Sequence, residues 1–413
     1  MVTENTYLPI TVQSPSDVLP LTDPDPIREK KTKHDDKGKS NRQHVVIGIL
    51  TTSRITPGKP KEKGVKAELA YLSRIGRRML ADVYVFNPWD IDWKNHTFVG
   101  YELMKDANGE FQWKKKKMPP PHVVYDQIYN RAAESRYRAD KSRLIKLTGG
   151  LYFNPHYLNK YSIHNNLKSV KSISPHLPET RILKKTDDIK TMLKNHHQLY
   201  IKPVNGSLGH GIMRLSRDSG RFKLETGKGR KSFALSFSEL YRKIINLTGK
   251  RNYIVQQGIK LISYRNRVVD IRVLVQKNGK GDWSITKTYA RVAPPGKITS
   301  NLSTGGTAHP LKVVLSESFG PDEVMEIRTR IRHLAIEVCK AVEETTGTIF
   351  GEMGVDLGVD QGGRIWIIEV NSKPRRTTLG NGSARLINLS FSKPIRFAYY
   401  LVTKKRHPRA IED

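Results

Sequence analysis

The sequence predicts an α/β protein of roughly two or three packed domains. Three observations carry this. The chain has 413 residues, more than one ordinary core supports. Short apolar runs, such as Val45-Val46-Ile47-Gly48-Ile49-Leu50, alternate with stretches whose apolar residues recur at helical spacing. Gly, Asn and Pro clusters punctuate the boundaries between them.

Taken in order, residues 1–43 are rich in Pro, Asp and Lys without an apolar period and read as a disordered tail. His44–Leu50 reads as a buried strand. Residues 64–80 read as a helix, with Val65, Leu69, Leu72, Ile75 and Met79 on one stripe. Val83–Phe86 is a second strand, giving a βαβ beginning. Asn108-Gly109 signals a hairpin, Pro119–Pro121 a stiff break, and His122–Tyr125 a further strand. Asn154-Pro155 reads as a helix start, with Lys160 on that helix or at its edge. Leu199–Pro203 reads as a strand, Gly206–Gly211 as a glycine-rich turn, and Ile212–Leu215 as extended again. Ser236 and Glu239 form a capping box that opens a helix to about Leu247. Tyr253–Gln257 is a strand, and Val268–Gln276 with Trp283–Val292 flank Asn278–Gly281 as a hairpin. Pro321 opens a long helix to about Glu344, stopped by Gly347. Glu352–Asp360 and Arg364–Val370 are the last strands.

Composition narrows the function classes. No run of about 18 apolar residues occurs, so no membrane span is expected. The N-terminus lacks the basic-then-apolar order of a secretory signal. The single Cys339 cannot form an internal disulfide and falls on the apolar side of the long helix, which suits a reducing cytoplasm. The net charge of +33 favours anionic partners. Its clusters at Arg28–Lys33, Lys114–Lys117, Lys228–Lys231, Arg265–Arg267 and Lys404–Arg409 come without zinc-finger spacing or an RNA-binding aromatic signature, so nucleic acid is not the expected partner.

Three constellations carry chemistry. If Gly362-Gly363 centres a two-residue turn, Asp356 and Glu369 are direct cross-strand neighbours and Asn371 shares their face. Facing carboxylates repel unless a positive charge lies between them, which a hard cation such as Mg²⁺ or nearby arginines can supply. Second, Lys202-Pro203 precedes Gly206-Ser207-Leu208-Gly209-His210-Gly211, whose backbone N–H groups could wrap a phosphate; an ordinary flexible turn fits as well. It is neither a Walker loop nor a Rossmann turn. Third, Asp270, Arg272 and Gln276 share one face of a strand while Ile271, Val273 and Val275 face the core, with Arg291 and Asn301 downstream. These could hold phosphate, or Asp270 and Arg272 could form a simple surface pair.

In this order, the elements from Lys160 to Asn371 resemble the ATP-grasp superfamily. They are Lys160 before Leu177-Pro178-Glu179-Thr180, Lys202-Pro203 with Ser207–Gly211, Ile254-Val255-Gln256-Gln257-Gly258-Ile259, Asp270-Ile271-Arg272, Asn301 with Gly305-Gly306, and Asp356 with Glu369 and Asn371. The words DIRVLVQ, NLSTGG and IIEVNSKP are similar to the YheC/YheD subfamily, described as endospore coat-associated. The resemblance implies two α+β subdomains clasping ATP, about 151–255 and 256–400, after a smaller βαβ-like domain at 44–150 and before a basic tail at 401–413. It implies an ATP- and Mg²⁺-dependent ligase (with Mn²⁺ as an alternative ion) that joins a carboxylate to an amine or thiol through an acyl phosphate. Lys160, Lys202, Ser207, Gly209 and Gly211 would serve the phosphates, and Gln256 and Ile259 adenine. Asp356, Glu369 and Asn371 would serve the metal, and Arg272, Arg291 and Asn301 the reacting groups. It also implies association with acidic spore-surface material. The sequence departs from the family at two places. No acidic residue follows the hinge to grip ribose, and Pro374 is followed by Arg375-Arg376 instead of Gly, which suggests an anionic substrate.

Overall fold

A computed structural model describes residues 45–60, 64–79, 81–206, 209–376 and 384–406. Three sheets follow one another along the chain. The first holds β1 (Val45–Leu50), β2 (Ala81–Phe86), β3 (Ile91–Asp92), β4 (Thr97–Lys105), β5 (Phe111–Met118), β6 (Val123–Asp126) and β7 (Tyr152–Phe153). Its order is β3-β4-β2-β1-β6-β7, with β5 beside β4. β1 runs parallel to β2 and β6, as the βαβ reading expects, and the crossover is α1 (Gly64–Arg78). The Asn108-Gly109 turn joins β4 and β5 as an antiparallel pair, as expected. α2 (Arg131–Arg136) and α3 (Arg138–Leu147) follow β6.

α4 (Lys160–Lys168) leads into the second sheet. This sheet holds β8 (Thr180–Leu183), β9 (Gln198–Pro203), β10 (Met213–Asp218), β11 (Arg221–Thr226), β12 (Lys231–Ala234) and β13 (Tyr253–Gln257). It is antiparallel throughout, in the order β12-β11-β10-β9-β13-β8. α5 (Thr186–Asn195) and α6 (Phe237–Thr248) cover it, and Ser236 caps α6 by accepting from the Glu239 N–H. The third sheet holds β14 (Ser263–Tyr264), β15 (Arg267–Lys277), β16 (Trp283–Val292), β17 (Thr307–His309), β18 (Glu352–Val359) and β19 (Ile365–Asn371). Its order is β17-β16-β15-β18-β19, with β14 beside β15. α7 (Leu311–Leu315) and α8 (Pro321–Thr346) close one face, and Gly347 ends α8 at φ 60°, in the left-handed region that favours glycine. Val324, Ile327, Ile331, Leu334 and Val338 of α8 pack on the sheet, and Cys339 is fully buried among them.

Two readings of the sequence are corrected here. No helix begins at Asn154, which has φ 55° and is buried. Its amide donates to the carbonyls of Glu352 and Ser372 and accepts from Gly351 N–H, so it ties β7 to β18. The helix starts at Lys160, with Asn159 as cap. Second, residues 401–406 are not tail: a helix, α9 (Ala384–Arg406), runs through Pro394 and reaches them. α9 packs against α1, β1, β6, β15 and β16, so it joins the first sheet to the third. The expected tail at 1–43 and residues 407–409 of the Lys404–Arg409 cluster lie outside the described residues.

α9 covers a buried polar core. The Arg376 guanidinium meets Glu352 at 2.6 Å and Glu68 at 3.3 Å and bonds the Tyr125 hydroxyl. Gln276 bridges Glu352 and the Ser390 carbonyl. Burial raises the Glu68 carboxyl despite Arg376 beside it. Such groups are stable inside a protein only when each is paired.

Candidate active site

The site is assembled where the second and third sheets face each other. β9 carries Lys202, β13 carries Gln256, β15 carries Asp270 and Arg272, β16 carries Arg291, and the β18–β19 pair carries Asp356, Glu369 and Asn371. Strand alternation sets which side chains point inward. The register places Asp356 directly opposite Glu369, and Asn371 opposite Gly354. The expected pair is therefore present, but not through the expected turn. The loop closes on Asp360 and Arg364 and spans three residues. An extra residue, Ile368, then bulges from β19 between Ile367 and Glu369 and restores the pairing.

Two cavities meet at Arg291, Asn301, Asp356 and Glu369. One, of about 810 Å³, lies between the sheets and is walled by Tyr200, Lys202, Gln256, Ile259, Leu261, Ile298 and Ile368. The other, of about 1040 Å³, lies beyond the carboxylates and is walled by Tyr129, Arg131, Tyr157, Arg272, Tyr289, Asn371, Lys373 and Arg375. The first has apolar walls with a charged end. The second is dominated by cations and phenols.

The electrostatics of the junction follow from its pairs. Arg291 holds Asp270 through two contacts of 2.6 Å and reaches Asp356 at 2.9 Å. Arg272 Nε stands 2.7 Å from Asp356 Oδ1. The simple pair of Asp270 with Arg272 is therefore not what forms, because each arginine pairs with an acid of the neighbouring strand. Lys160, the first residue of α4, reaches Glu369 at 3.0 Å and the Gly206 carbonyl at 2.6 Å. Burial raises Asp356, and Arg272 and Arg291 only partly oppose it. Burial pushes Glu369 the same way, but Lys160 and Lys202 outweigh it and hold that carboxyl below its ordinary range. Lys202 is buried, its ammonium donating to Gln256 Oε1 at 2.6 Å; burial lowers it from 10.5 to about 8.

Four cations (Lys160, Lys202, Arg272, Arg291) thus surround three carboxylates (Asp270, Asp356, Glu369). The excess is positive, which suits a polyphosphate. Asp356 Oδ1 is buried and accepts no hydrogen bond, since Arg272 Nε approaches it without hydrogen-bond geometry. A buried carboxylate oxygen in that state, with Glu369 opposite and Asn371 on the same face, fits an oxygen-seeking divalent cation.

Most residues singled out from the sequence converge here. Gly209 lines the inter-sheet cavity and has φ 74°, a conformation that favours glycine; Asn301 Nδ2 lies 3.5 Å from where its Cβ would stand. Gly211 is turned toward Tyr253 and Arg251 and is not on the cavity wall. Ser207 lies outside the described residues. The Gln256 amide is used inside the protein, by Lys202 on one side and Thr180 on the other. Of Arg375-Arg376, only Arg375 faces the second cavity, since Arg376 is turned into the core. Tyr129, Arg131, Tyr157, Tyr289 and Lys373 were not found from the sequence. Lys373, inside IIEVNSKP, had a signal, and so did Tyr289, which shares a strand face with Arg291 and pairs with Arg272; Tyr129, Arg131 and Tyr157 reach the wall through tertiary folding.

The chain is similar to known proteins. A family described as YheC/D like ATP-grasp matches residues 149–401. The chain is 30% identical over 331 residues to the endospore coat-associated protein YheD of Bacillus subtilis, covering 78% of this chain and 71% of that protein. It is 22% identical over 366 residues to YheC of the same organism, covering 87% of this chain and 97% of that one. Among solved structures, the VanG D-Ala:D-Ser ligase from Enterococcus faecalis shares the fold at a TM-score of 0.50 and 14% identity, over 87% of this chain and 100% of that one. No helix among the described residues is long and apolar enough to cross a membrane. With the match spanning the second and third sheets and every strand that carries the junction, the chain belongs to the YheC/D-like ATP-grasp family.

Proposed function

We propose that this protein is an ATP- and Mg²⁺-dependent ligase that activates a carboxylate as an acyl phosphate and passes it to an amine or thiol. The observation that carries this reading is the junction itself: Lys160 and Lys202 stand over the Asp356–Glu369 pair at the meeting point of an apolar-walled and a cationic cavity. The nucleotide takes the inter-sheet cavity, clasped between subdomains at about 151–255 and 256–400. Its base lies against Ile259, whose N–H has no partner among the described residues. Gln256 acts there by holding Lys202 with its amide oxygen rather than by contacting the base. Lys160, Lys202 and the glycine turn around Gly209 take the phosphates.

Asp356, Glu369 and Asn371 hold Mg²⁺, which when bound neutralises phosphate charge. Arg272 and Arg291 stand on the far side of the carboxylates, where they orient the acid and stabilise charge that develops on it. In the first step a carboxylate oxygen bonds the γ-phosphorus and ADP leaves. In the second the nucleophile bonds the acyl carbon and phosphate leaves. Neither step needs a protein nucleophile; positioning and charge do the work. The names of the relatives add a setting at the spore coat, to which the basic chain ends would hold the protein by charge.

The test is ADP release by the full chain, with Mg²⁺, against a panel of acids and amines. Acid-dependent ADP release supports the ligase. Nucleotide binding without turnover on any acid favours a nucleotide-binding coat component instead.

A further inference from the structure

The second cavity carries more positive charge than the proposed reaction uses. Arg272 and Arg291 are held by Asp356 and Asp270, and Lys373 meets Asp126 at 2.7 Å. Arg131 and Arg375 also line the wall, and neither has a carboxylate within ion-pair distance among the described residues. Arg131 lies over the Tyr157 ring, 4.6 Å from its centroid, and donates to the Leu158 carbonyl at 2.9 Å and to Asn205 Oδ1 at 3.5 Å. Its Nε is buried and has no hydrogen-bond partner. Glu134 is the nearest acid in field, but both its oxygens accept from the Tyr157 N–H and it faces Lys373 at 3.6 Å. Arg131, Arg375 and Tyr157 line the same wall of this cavity.

A buried guanidinium N–H without a partner is costly unless a ligand supplies the acceptor. Resting on the ligase reading, we propose that the acid substrate carries at least two carboxylates. One reacts at Arg272 and Arg291, and a second is held by Arg131 and Arg375 against Tyr157. A single carboxylate placed beside the inner arginines leaves the outer pair unused. The net charge of +33 draws in acidic chains. The ligand chemistry is therefore a polycarboxylate, either a small di-acid or an acidic peptide.

The test uses the full chain with Mg·ATP and hydroxylamine, whose nitrogen displaces phosphate from an acyl phosphate to leave a hydroxamate that is read as its coloured ferric complex. The acids compared are N-acetylalanine, N-acetylglutamate and a hexaglutamate peptide, with hexaglutamine as the uncharged control. Hydroxamate formation with a KM at least about tenfold lower for either polyacid than for N-acetylalanine is expected. A preference between the two polyacids tells a free di-acid from a peptide. Arg131→Gln and Arg375→Gln should each raise the polyacid KM about tenfold while leaving that of N-acetylalanine and the Kd of Mg·ATP unchanged. Equal KM values for mono- and polyacids, or a polyacid KM that neither substitution moves, overturns the proposal while leaving the ligase intact. Loss of Mg·ATP binding in the wild type overturns the ligase reading, and this proposal with it.

Discussion

Replacing Lys202 with Met should remove a pH dependence as well as affinity. In the free protein the ammonium is buried, and burial lowers it from 10.5 to about 8. The shift corresponds to roughly 3 kcal/mol of bias against the charged form. A phosphate oxygen placed on it reverses that bias. If binding restores the ordinary value, Lys202 is charged in the complex at pH 9 but about one-tenth charged in the free protein. The sign follows: a group whose value is raised by the ligand supports binding most fully below its free value and loses that support as pH rises above it. Mg·ATP affinity should therefore fall about tenfold between pH 7 and pH 9, with uptake of about 0.9 proton at pH 9 and about 0.1 at pH 7. Calorimetry in buffers of different ionisation enthalpy reads the proton number directly. Lys202→Met should weaken Mg·ATP by roughly 10- to 100-fold at pH 7 and abolish the uptake at pH 9. Uptake that persists in the variant, or is absent in the wild type, would refute the placement of phosphate on Lys202.

Two further substitutions probe the scaffold. A Cβ at residue 354 would overlap Arg272 Nη1 and lie 3.1 Å from Pro374 Cβ, so Gly354→Ala should push Arg272 off Asp356. Its expected effect is a lower kcat with Mg·ATP affinity little changed, read by steady-state kinetics beside a thermal melt. Arg376→Ala strands Glu352 and Glu68 in the core and should cost about 3–5 kcal/mol in urea unfolding. Arg376→Lys should recover only part of that, since a single ammonium cannot reach both acids and the Tyr125 hydroxyl.

The local elements were legible because periodicity and caps act over a few residues. Tyr253–Gln257 appears with the expected limits, and the long helix opens at Pro321 and ends at Gly347, where the sequence puts them. The Asp356–Glu369 pair was found by counting back from a turn, and two departures cancelled. The loop is longer than assumed, and the bulge at Ile368 returns the register. What local reasoning could not see is long-range. Asn154 looked like a cap because Asn-Pro usually is one, yet its amide bridges residues about 200 positions away, at Gly351, Glu352 and Ser372. α9 was not read from the sequence; it carries Pro394 in its interior and is held by packing on two sheets. The second cavity was hidden for the same reason. Its wall joins Tyr129 and Arg131 of the first sheet's connections to Lys373 and Arg375 beyond the last strand. No spacing rule brings such distant segments together.

If nucleotide and metal meet at the Asp356–Glu369 pair, calorimetric titration of Glu369→Gln with ATP will reveal it. The substitution keeps the size of the side chain and removes one charge that Lys160 and a metal would share. Wild type should bind ATP more tightly with Mg²⁺ than without it. Glu369→Gln, melting at an unchanged temperature, should bind ATP with the same affinity whether or not Mg²⁺ is present. A variant that keeps the full Mg²⁺-dependent gain would contradict the site.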